Sequence, residues 1–133
     1  MEKQSIWTNL PSRTQKVGIT RIMVVDDDKG ILSTTISLIE QLGAEGFAFS
    51  SPTKALISWA SNYYDGVIVD LMMPVMGGLD FLDQISDVKA IIMSGYLSSR
   101  AGRDFYSKYV FLPKPFSKAE LKMALVESKI LKF

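Results

Sequence analysis

The chain of 133 residues contains neither cysteine nor histidine. Without cysteine it forms no disulfide and no thiolate metal site. Without histidine it lacks the commonest general base, the commonest zinc ligand and any phosphohistidine of its own. No apolar run approaches the roughly 20 residues that cross a bilayer, and residues 1–20 lack the apolar segment of a signal peptide. We therefore expect a cytoplasmic protein with no membrane partner.

The chain also lacks an excess of either charge. Fifteen basic residues oppose fourteen acidic ones, for a net charge of +1, which gives no electrostatic basis for binding nucleic acid. The hydrophobic fraction of 47% is ordinary for a globular protein, and the length suits one domain, which we expect over residues 21–133. Residues 1–20 show no hydrophobic period. A solvated tail or linker is the favoured interpretation there, and docking through Trp7 and Leu10 is the alternative.

What is present is a regular alternation of apolar runs with helix signals. Each run is short and rich in β-branched or aromatic residues, as in strands buried on both faces. Strands that alternate with helices predict a parallel sheet with helices on both of its faces. The fold class is therefore α/β, a doubly wound five-stranded parallel sheet. Its five predicted strands are "RIMVV", "EGFAFS", "GVIVD", "VKAIIMS" and "YVFLP".

The helix signals differ in strength. Ser51 followed by Pro52 starts a second helix, whose inner face we assign to Leu56, Trp59 and Ala60. A fourth helix within residues 97–108 is weak, because an internal glycine costs about 1 kcal/mol relative to alanine. Apolar residues at helical spacing mark the first helix at Leu32, Ile36, Ile39 and Leu42. The same spacing marks the third helix at Leu79, Leu82 and Ile85. A capping box at Ser117 and Glu120 marks the start of the last helix.

Polar side chains stand at the carboxyl ends of four predicted strands. They are Asp26 and Asp27, Asp70, Ser94 and Lys114, and parallel strands bring such ends to one edge of the sheet, where ligands bind. Three converging carboxylates suit Mg²⁺, which would offset their repulsion. One carboxylate could act as a nucleophile toward a phosphoryl group, while the lysine and serine contact its oxygens. Asp28, by contrast, is better explained as the N-cap of the first helix.

Four motifs at these strand ends resemble the receiver domain of the two-component response-regulator family. "MVVDDD" resembles its first strand and acidic pair, and "IIMSG" and "FLPKPF" match its fourth and fifth strands. "VIVDLMMPVMGG" matches its pattern D-x-x-M-P-x-M-x-G. The resemblance covers residues 21 to about 130, and it implies a flavodoxin/CheY-like (βα)5 fold and a receiver domain over residues 21–133. The positions that match the longest pattern are Asp70, Met73, Pro74, Met76 and Gly78.

The resemblance also implies a role for each site residue. Asp70 would be the phosphorylated aspartate, with Ser94 and Lys114 binding the phosphoryl group. Ser94 and Phe111 would form the conformational switch, and the Lys114–Pro115 peptide bond would be cis. The Mg²⁺ ligands would be Asp26, Asp27, Asp70 and the backbone carbonyl of Met72.

The family implies partners as well. A histidine kinase or a histidine phosphotransfer protein would supply the phosphoryl group, and a downstream protein would receive the signal. The domain would be a monomer or a weak, phosphorylation-dependent dimer. It would not be an enzyme beyond its own phosphorylation and dephosphorylation.

The sequence departs from the family pattern near the fifth strand. The segment between Ser94 and Lys114 is slightly short, "YSKY" replaces the usual small-residue turn, and Phe111 replaces a tyrosine. In this family the fourth helix, fifth strand and fifth helix commonly form the output or dimer surface. The acceptor chemistry is therefore intact in the sequence, while the mode of output is not predicted.

Two other functions compete with this interpretation. A Mg²⁺-dependent phosphatase of the haloacid-dehalogenase type would use Asp26 as its nucleophile and Asp28 as its acid. A pseudo-receiver would bind partners without phosphorylation, and it would be expected to lack an acid or the lysine. The sequence does not identify the kinase, the signal or the output partner. It leaves open whether the chain is a stand-alone regulator or the receiver of a longer protein such as a hybrid kinase.

Overall fold

The computed structural model describes residues 18–85, 87–95 and 109–132. Five parallel strands in the described residues form one sheet in the order β2-β1-β3-β4-β5. The strands are β1 (Arg21–Val25), β2 (Glu45–Phe49), β3 (Gly66–Asp70), β4 (Ala90–Ser94) and β5 (Val110–Pro113). The helices in the same residues are α1 (Lys29–Gln41), α2 (Pro52–Ser61), α3 (Gly78–Asp83) and α4 (Lys118–Glu127).

Helices pack on both faces of the sheet, so the predicted doubly wound fold is confirmed. One apolar cluster joins α1 and α4 to one face, through Leu32 and Leu125 against Ile68. A second cluster joins α2 and α3 to the other face, through Trp59 and Phe81. Because successive side chains of a strand point to opposite faces and both faces are covered, the interiors of β1, β3 and β4 are apolar, and their polar residues lie only at the strand ends. The weak helix predicted within residues 97–108 lies outside the described residues.

The predicted helix caps are present. Asp28 accepts hydrogen bonds from the backbone N–H groups of Gly30 and Ile31 at 2.8 and 3.1 Å, so its assignment as the N-cap of α1 is confirmed. Ser51 caps α2 through the N–H of Lys54 at 3.2 Å. Ser117 and Glu120 form the predicted capping box of α4. Local side-chain chemistry therefore starts three of the four described helices where the sequence indicates.

The predicted inner face of α2 is partly wrong. Trp59 is buried and Leu56 is half-buried, but Ala60 is exposed and Ala55 is fully buried instead. Residues four apart share a face of a helix, so Ala55 lies beneath Trp59, while Ala60 is rotated about 100° away from it. None of the described helices combines the length and hydropathy needed to cross a membrane.

Candidate functional site

Three carboxylates meet at the edge of the sheet where the strands end, which we call the carboxyl edge. Asp26 follows β1 and Asp70 ends β3, and these neighbouring parallel strands pair Val25 with Val69. The backbone N–H of Asp26 donates to the carbonyl of Phe49 at 3.1 Å, which extends the sheet hydrogen bonding by one residue. One carboxylate oxygen from each of Asp26, Asp27 and Asp70 lies within 4.8 Å of the others. The predicted convergence of these side chains is therefore present.

The three carboxylates differ in exposure. Asp26 is 0% exposed and Asp70 is 5% exposed, while Asp27 is exposed to solvent. A buried carboxylate is costly unless its oxygens accept hydrogen bonds. Both oxygens of Asp26 do so: Oδ1 accepts from the backbone N–H of Asp28 at 2.9 Å, and Oδ2 accepts from Lys114 Nζ at 3.0 Å. Asp26 is thus held by fixed donors on two sides.

Lys114 bridges the two buried carboxylates. Its Nζ lies 3.0 Å from Asp26 Oδ2 and 3.1 Å from Asp70 Oδ1, and its side chain is 18% exposed. Its backbone N–H donates to the carbonyl of Ser94 at 3.0 Å, which anchors the residue beside the end of β4. The Lys114–Pro115 peptide bond is cis, as the resemblance implies. The lysine predicted from its position before proline is therefore inside the site and not on the solvated surface.

Burial and charge shift the pKa values of this pair. Burial raises the pKa of Asp70 above its ordinary value, and the nearby carboxylates of Asp26 and Asp27 raise it further, against the opposing hydrogen bond from Lys114. Burial acts to lower the pKa of Lys114, but its hydrogen bonds to Asp26 and Asp70 outweigh that effect and raise it. Among the described residues, one ammonium thus contacts two members of a cluster of three carboxyl groups, so negative charge exceeds positive charge there.

Ser94 and Phe111 lie on strands next to this cluster. Ser94 is 2% exposed at the end of β4, the strand that neighbours Asp70 in the sheet. Phe111 is half-buried on β5, where it pairs with Ile92 and packs in the cluster of α2 and α3. Because side chains alternate along β4, Ser94 lies on the same face of the sheet as Ile92. Ser94 and Phe111 therefore share one face, next to the carboxyl edge.

The loop after β3 is held against Asp70 by a glycine. The N–H of Gly78 donates to the carbonyl of Leu71 at 2.9 Å, and a Cβ atom on Gly78 would lie only 2.5 Å from the carbonyl oxygen of Asp70. Only glycine allows α3 to start so close to the acceptor strand. Met72 lies in this loop with an exposed side chain. The motif located Gly78 in the sequence, but only the structure gives this reason for it.

Sequence reasoning missed a second function of Asp28. Its side chain caps α1, and its backbone N–H also fixes Asp26 Oδ1. An aspartate two residues before a backbone donor is a common turn signal, so this hydrogen bond could have been predicted from "DDD" alone. Asp28 therefore links the first helix to the buried acid without contributing a ligand atom to the carboxylate cluster.

Comparison with known proteins gives consistent matches. Residues 22–126 match the family model of the response regulator receiver domain. The chain is 30% identical over 122 residues to the sensory/regulatory protein RpfC of Xanthomonas campestris, across 84% of this chain and 17% of RpfC. It is 29% identical over 120 residues to the response regulator SaeR of Staphylococcus aureus, across 80% of this chain and 49% of SaeR. This chain therefore spans less than half the length of either relative.

A solved structure extends the match to three dimensions. The receiver domain of the Francisella response regulator 1452 superposes with a TM-score of 0.74 at 29% identity. The superposition covers 85% of this chain and 99% of that domain. The similarity therefore includes nearly the whole of that receiver domain and most of this chain.

Proposed function

Because the chain belongs to the response regulator receiver-domain family of two-component systems, we propose that it is a phosphorylation-controlled switch whose acceptor is Asp70. The observation that carries this proposal is the contact of Asp70 Oδ1 with Lys114 Nζ at 3.1 Å, beside the two other carboxylates of the carboxyl edge. This arrangement supports three roles for neighbouring groups: Asp70 as the nucleophile, Lys114 as the cation for the phosphoryl oxygens, and the three carboxylates as a metal site.

The proposed reaction transfers a phosphoryl group from a phosphohistidine. A carboxylate oxygen of Asp70 attacks phosphorus, an O–P bond forms, the N–P bond of the donor breaks, and its imidazole leaves with the electron pair. These 133 residues contain no histidine, so the phosphohistidine lies outside them, and the proposed donor is a histidine kinase or a histidine phosphotransfer protein. Lys114 and the hydroxyl of Ser94 contact the phosphoryl oxygens, which places donors where negative charge develops.

The charges of the site fit a divalent cation. Three carboxylates and one ammonium sum to −2 when all are ionised, and oxygen ligands of this kind suit Mg²⁺. Asp26, Asp27, Asp70 and the backbone carbonyl of Met72 are the proposed ligands. When bound, Mg²⁺ supplies positive charge that lets an anionic phosphoryl group approach an anionic nucleophile. Asp26 is the most firmly held of these groups, since both of its oxygens already accept hydrogen bonds.

The domain boundaries and the output are also part of the proposal. We assign the receiver domain to residues 21–133 and a tail to residues 1–20. Burial of Ile130 and Leu131 supports a domain that continues beyond the family match, which ends at residue 126. Ser94 and Phe111 are the proposed switch, and the signal passes to a downstream protein in the cytoplasm. The domain works as a monomer or as a weak dimer formed on phosphorylation.

The test is phosphorylation by a small donor. The protein is incubated with Mg²⁺ and phosphoramidate, and its intact mass is measured with Asp70→Asn as the matched variant. The parent should gain one phosphoryl group and Asp70→Asn should gain none. A pseudo-receiver would stay unlabelled in every case. A phosphatase with Asp26 as its nucleophile would remain labelled in Asp70→Asn, which would reject the receiver mechanism.

A further inference from the structure

A groove lies at the opposite edge of the sheet from the carboxylates, where the strands begin. This amino edge is separated from the carboxyl edge by the length of a five-residue strand, about 16 Å. A cavity of about 870 Å³ opens there between the carboxyl ends of α2 and α3 and the segment after α4. We call it the amino-edge groove and define it by its apolar lining residues: Leu56, Trp59, Tyr64, Ile85, Val88 and Ile130.

Contacts among aromatic side chains fix one wall of the amino-edge groove. The rings of Trp59 and Tyr64 stack with centroids 5.7 Å apart. The Tyr64 hydroxyl lies 2.6 Å from Ser58 Oγ in a hydrogen bond, and Phe47 meets the Tyr64 ring edge-on at 5.6 Å. These contacts hold Trp59 and Tyr64 in a wall that is itself mostly buried. The apolar surface open to a ligand comes mainly from the half-buried side chains of Leu56, Ile85 and Val88.

The polypeptide that precedes β1 enters the fold at the rim of the amino-edge groove. The backbone N–H of Arg21 donates to Asp65 Oδ2 at 2.8 Å, and its side-chain Nε donates to the carbonyl of Tyr63 at 3.0 Å. Asp65 and Tyr63 both line the same cavity. Since β1 and β3 are neighbours in the sheet, the chain at residues 18–20 starts about one strand spacing, ~4.8 Å, from the groove wall at the start of β3.

The segment before this point has the composition of a groove ligand. Residues 1–17 contain Ile6, Trp7, Leu10 and Val17 but only two acidic or basic residues between positions 4 and 17, Arg13 and Lys16. The eleven residue-to-residue steps from Trp7 to Gly18 can span about 36 Å when extended, far more than the one strand spacing between residues 18–20 and the groove wall. A tether of this length holds its side chains near the groove at an effective concentration on the order of millimolar. Weak apolar contacts are then sufficient for binding.

We propose that residues 1–17 of the same molecule bind the amino-edge groove, with Trp7 and Leu10 against its apolar lining. The occupant is identified by its attachment at the rim and by its apolar side chains. The rim does not select by charge, since it carries both acidic and basic residues, among them Asp87 and Lys89. The proposal concerns the edge remote from Asp70, so it stands or falls independently of the phosphoacceptor function.

The test uses the full-length protein and changes only the tail, so that folding of the core is not at risk. Amide NMR spectra of the parent are compared with those of the double variant Trp7→Ala/Leu10→Ala. We expect shift changes at Leu56, Val88, Lys89 and Ile130, and none at the carboxyl edge. Nuclear Overhauser contacts should join the Trp7 indole to the methyl groups of Ile85 and Val88 in the parent.

The matched control replaces neighbouring polar residues, Ser5→Ala/Thr8→Ala, and should leave the spectrum of the groove residues unchanged. A dilution series with sedimentation analysis separates binding in the same molecule from binding between copies. Groove shifts that persist in the diluted monomer support the proposal. It is overturned if the groove amides do not respond to Trp7→Ala/Leu10→Ala, if they respond equally to the control, or if the contacts vanish on dilution of a dimer.

Discussion

The two edges of the sheet handle charge in opposite ways. At the amino edge, the guanidinium of Arg21 donates to the carbonyl of Tyr63, lies 3.6 Å from Glu45 and lies 4.2 Å above the centroid of the Phe47 ring, while Asp65 accepts from the Arg21 backbone N–H. Arg21, Glu45 and Asp65 each have a partner there. At the carboxyl edge, within the described residues, Lys114 contacts two of the three clustered carboxyl groups. The pKa of Asp70 is raised there because burial and its acidic neighbours disfavour the charged form. The first arrangement stabilises the fold, whereas the second holds carboxylates that repel one another, a repulsion that the proposed cation would offset.

The largest effect on stability is expected when Lys114, the cation that the described residues place at the carboxyl edge, is removed. Lys114→Met leaves two buried carboxylates without their shared partner, which should cost about 3–5 kcal/mol at neutral pH without Mg²⁺. The loss should shrink as pH falls, because protonation of Asp70 removes part of the repulsion, and it should shrink on adding Mg²⁺. Urea unfolding at several pH values measures it.

The control for this experiment is Lys118→Met, four residues along the chain. Lys118 is exposed, and its one side-chain hydrogen bond within the described part of the chain goes to Gln41 Oε1 at 3.3 Å. Its replacement should change stability by less than about 0.5 kcal/mol. Equal effects of the two substitutions would mean that the buried charges of the carboxyl edge are not energetically distinct from surface charges.

The second-largest effect on stability is expected at the amino edge, when Arg21 is replaced. Arg21→Ala removes the cation above the Phe47 ring and leaves the carbonyl of Tyr63 without this donor, which should cost about 1–3 kcal/mol. The loss should not depend on Mg²⁺, because the charges of Arg21 and Glu45 are paired without a metal ion. Arg21→Lys keeps the charge but not the planar fork, so we expect it to lose part of the same stability. A Mg²⁺-dependent loss in Arg21→Ala would remove the distinction between the two edges.

A smaller effect is expected at Asp28, which lies beside the acids but caps a helix. Asp28→Ala removes the side-chain acceptor for the N–H groups of Gly30 and Ile31 and should cost about 1 kcal/mol. The backbone N–H that holds Asp26 remains, so stabilisation by Mg²⁺ should be as large as in the parent. Thermal melts across a magnesium titration measure both quantities, and a lost Mg²⁺ response would make Asp28 part of the metal site.

The adjacent acid should behave in the opposite way. Asp27 is exposed and adds repulsion to Asp70, so Asp27→Ala should be as stable as the parent without Mg²⁺, or more stable by up to about 1–2 kcal/mol. It should lose most of the stabilisation that Mg²⁺ gives the parent. Strong destabilisation of metal-free Asp27→Ala, or a Mg²⁺ response like that of the parent, would show that the carboxylate cluster is structural.

Much of this architecture follows from local patterns in the sequence. The ends of strands β1 and β3 agree with the prediction, because "RIMVV" and "GVIVD" are buried apolar runs that are bounded by polar residues at Arg21 and Asp70. The caps at Asp28, Ser51 and Ser117 follow from side chains that bond to backbone two or three residues away. Strand ends in a parallel sheet share an edge, so the convergence of the acids with Lys114 was also predictable.

Other features depend on contacts between distant residues and were not predictable. Ala60 was assigned wrongly because the spacing of apolar residues alone does not determine which side of a short helix faces the sheet. The hydrogen bond from Lys114 to Asp26 joins residues 88 apart in the sequence. The amino-edge groove is assembled from the ends of three helices, and no motif marks it. Side-chain pairing across strands and the shape of helix ends exist only once the fold has formed.

The central claim is that Asp70, and no other acid of the carboxyl edge, accepts a phosphoryl group. The most direct measurement labels the parent with phosphoramidate and Mg²⁺, reduces the acyl phosphate with borohydride, and locates the modified residue by peptide mass spectrometry. We predict that reduction converts Asp70 alone to homoserine. Modification of Asp26 or Asp27, or no modification while Mg²⁺ still stabilises the protein, would contradict the account.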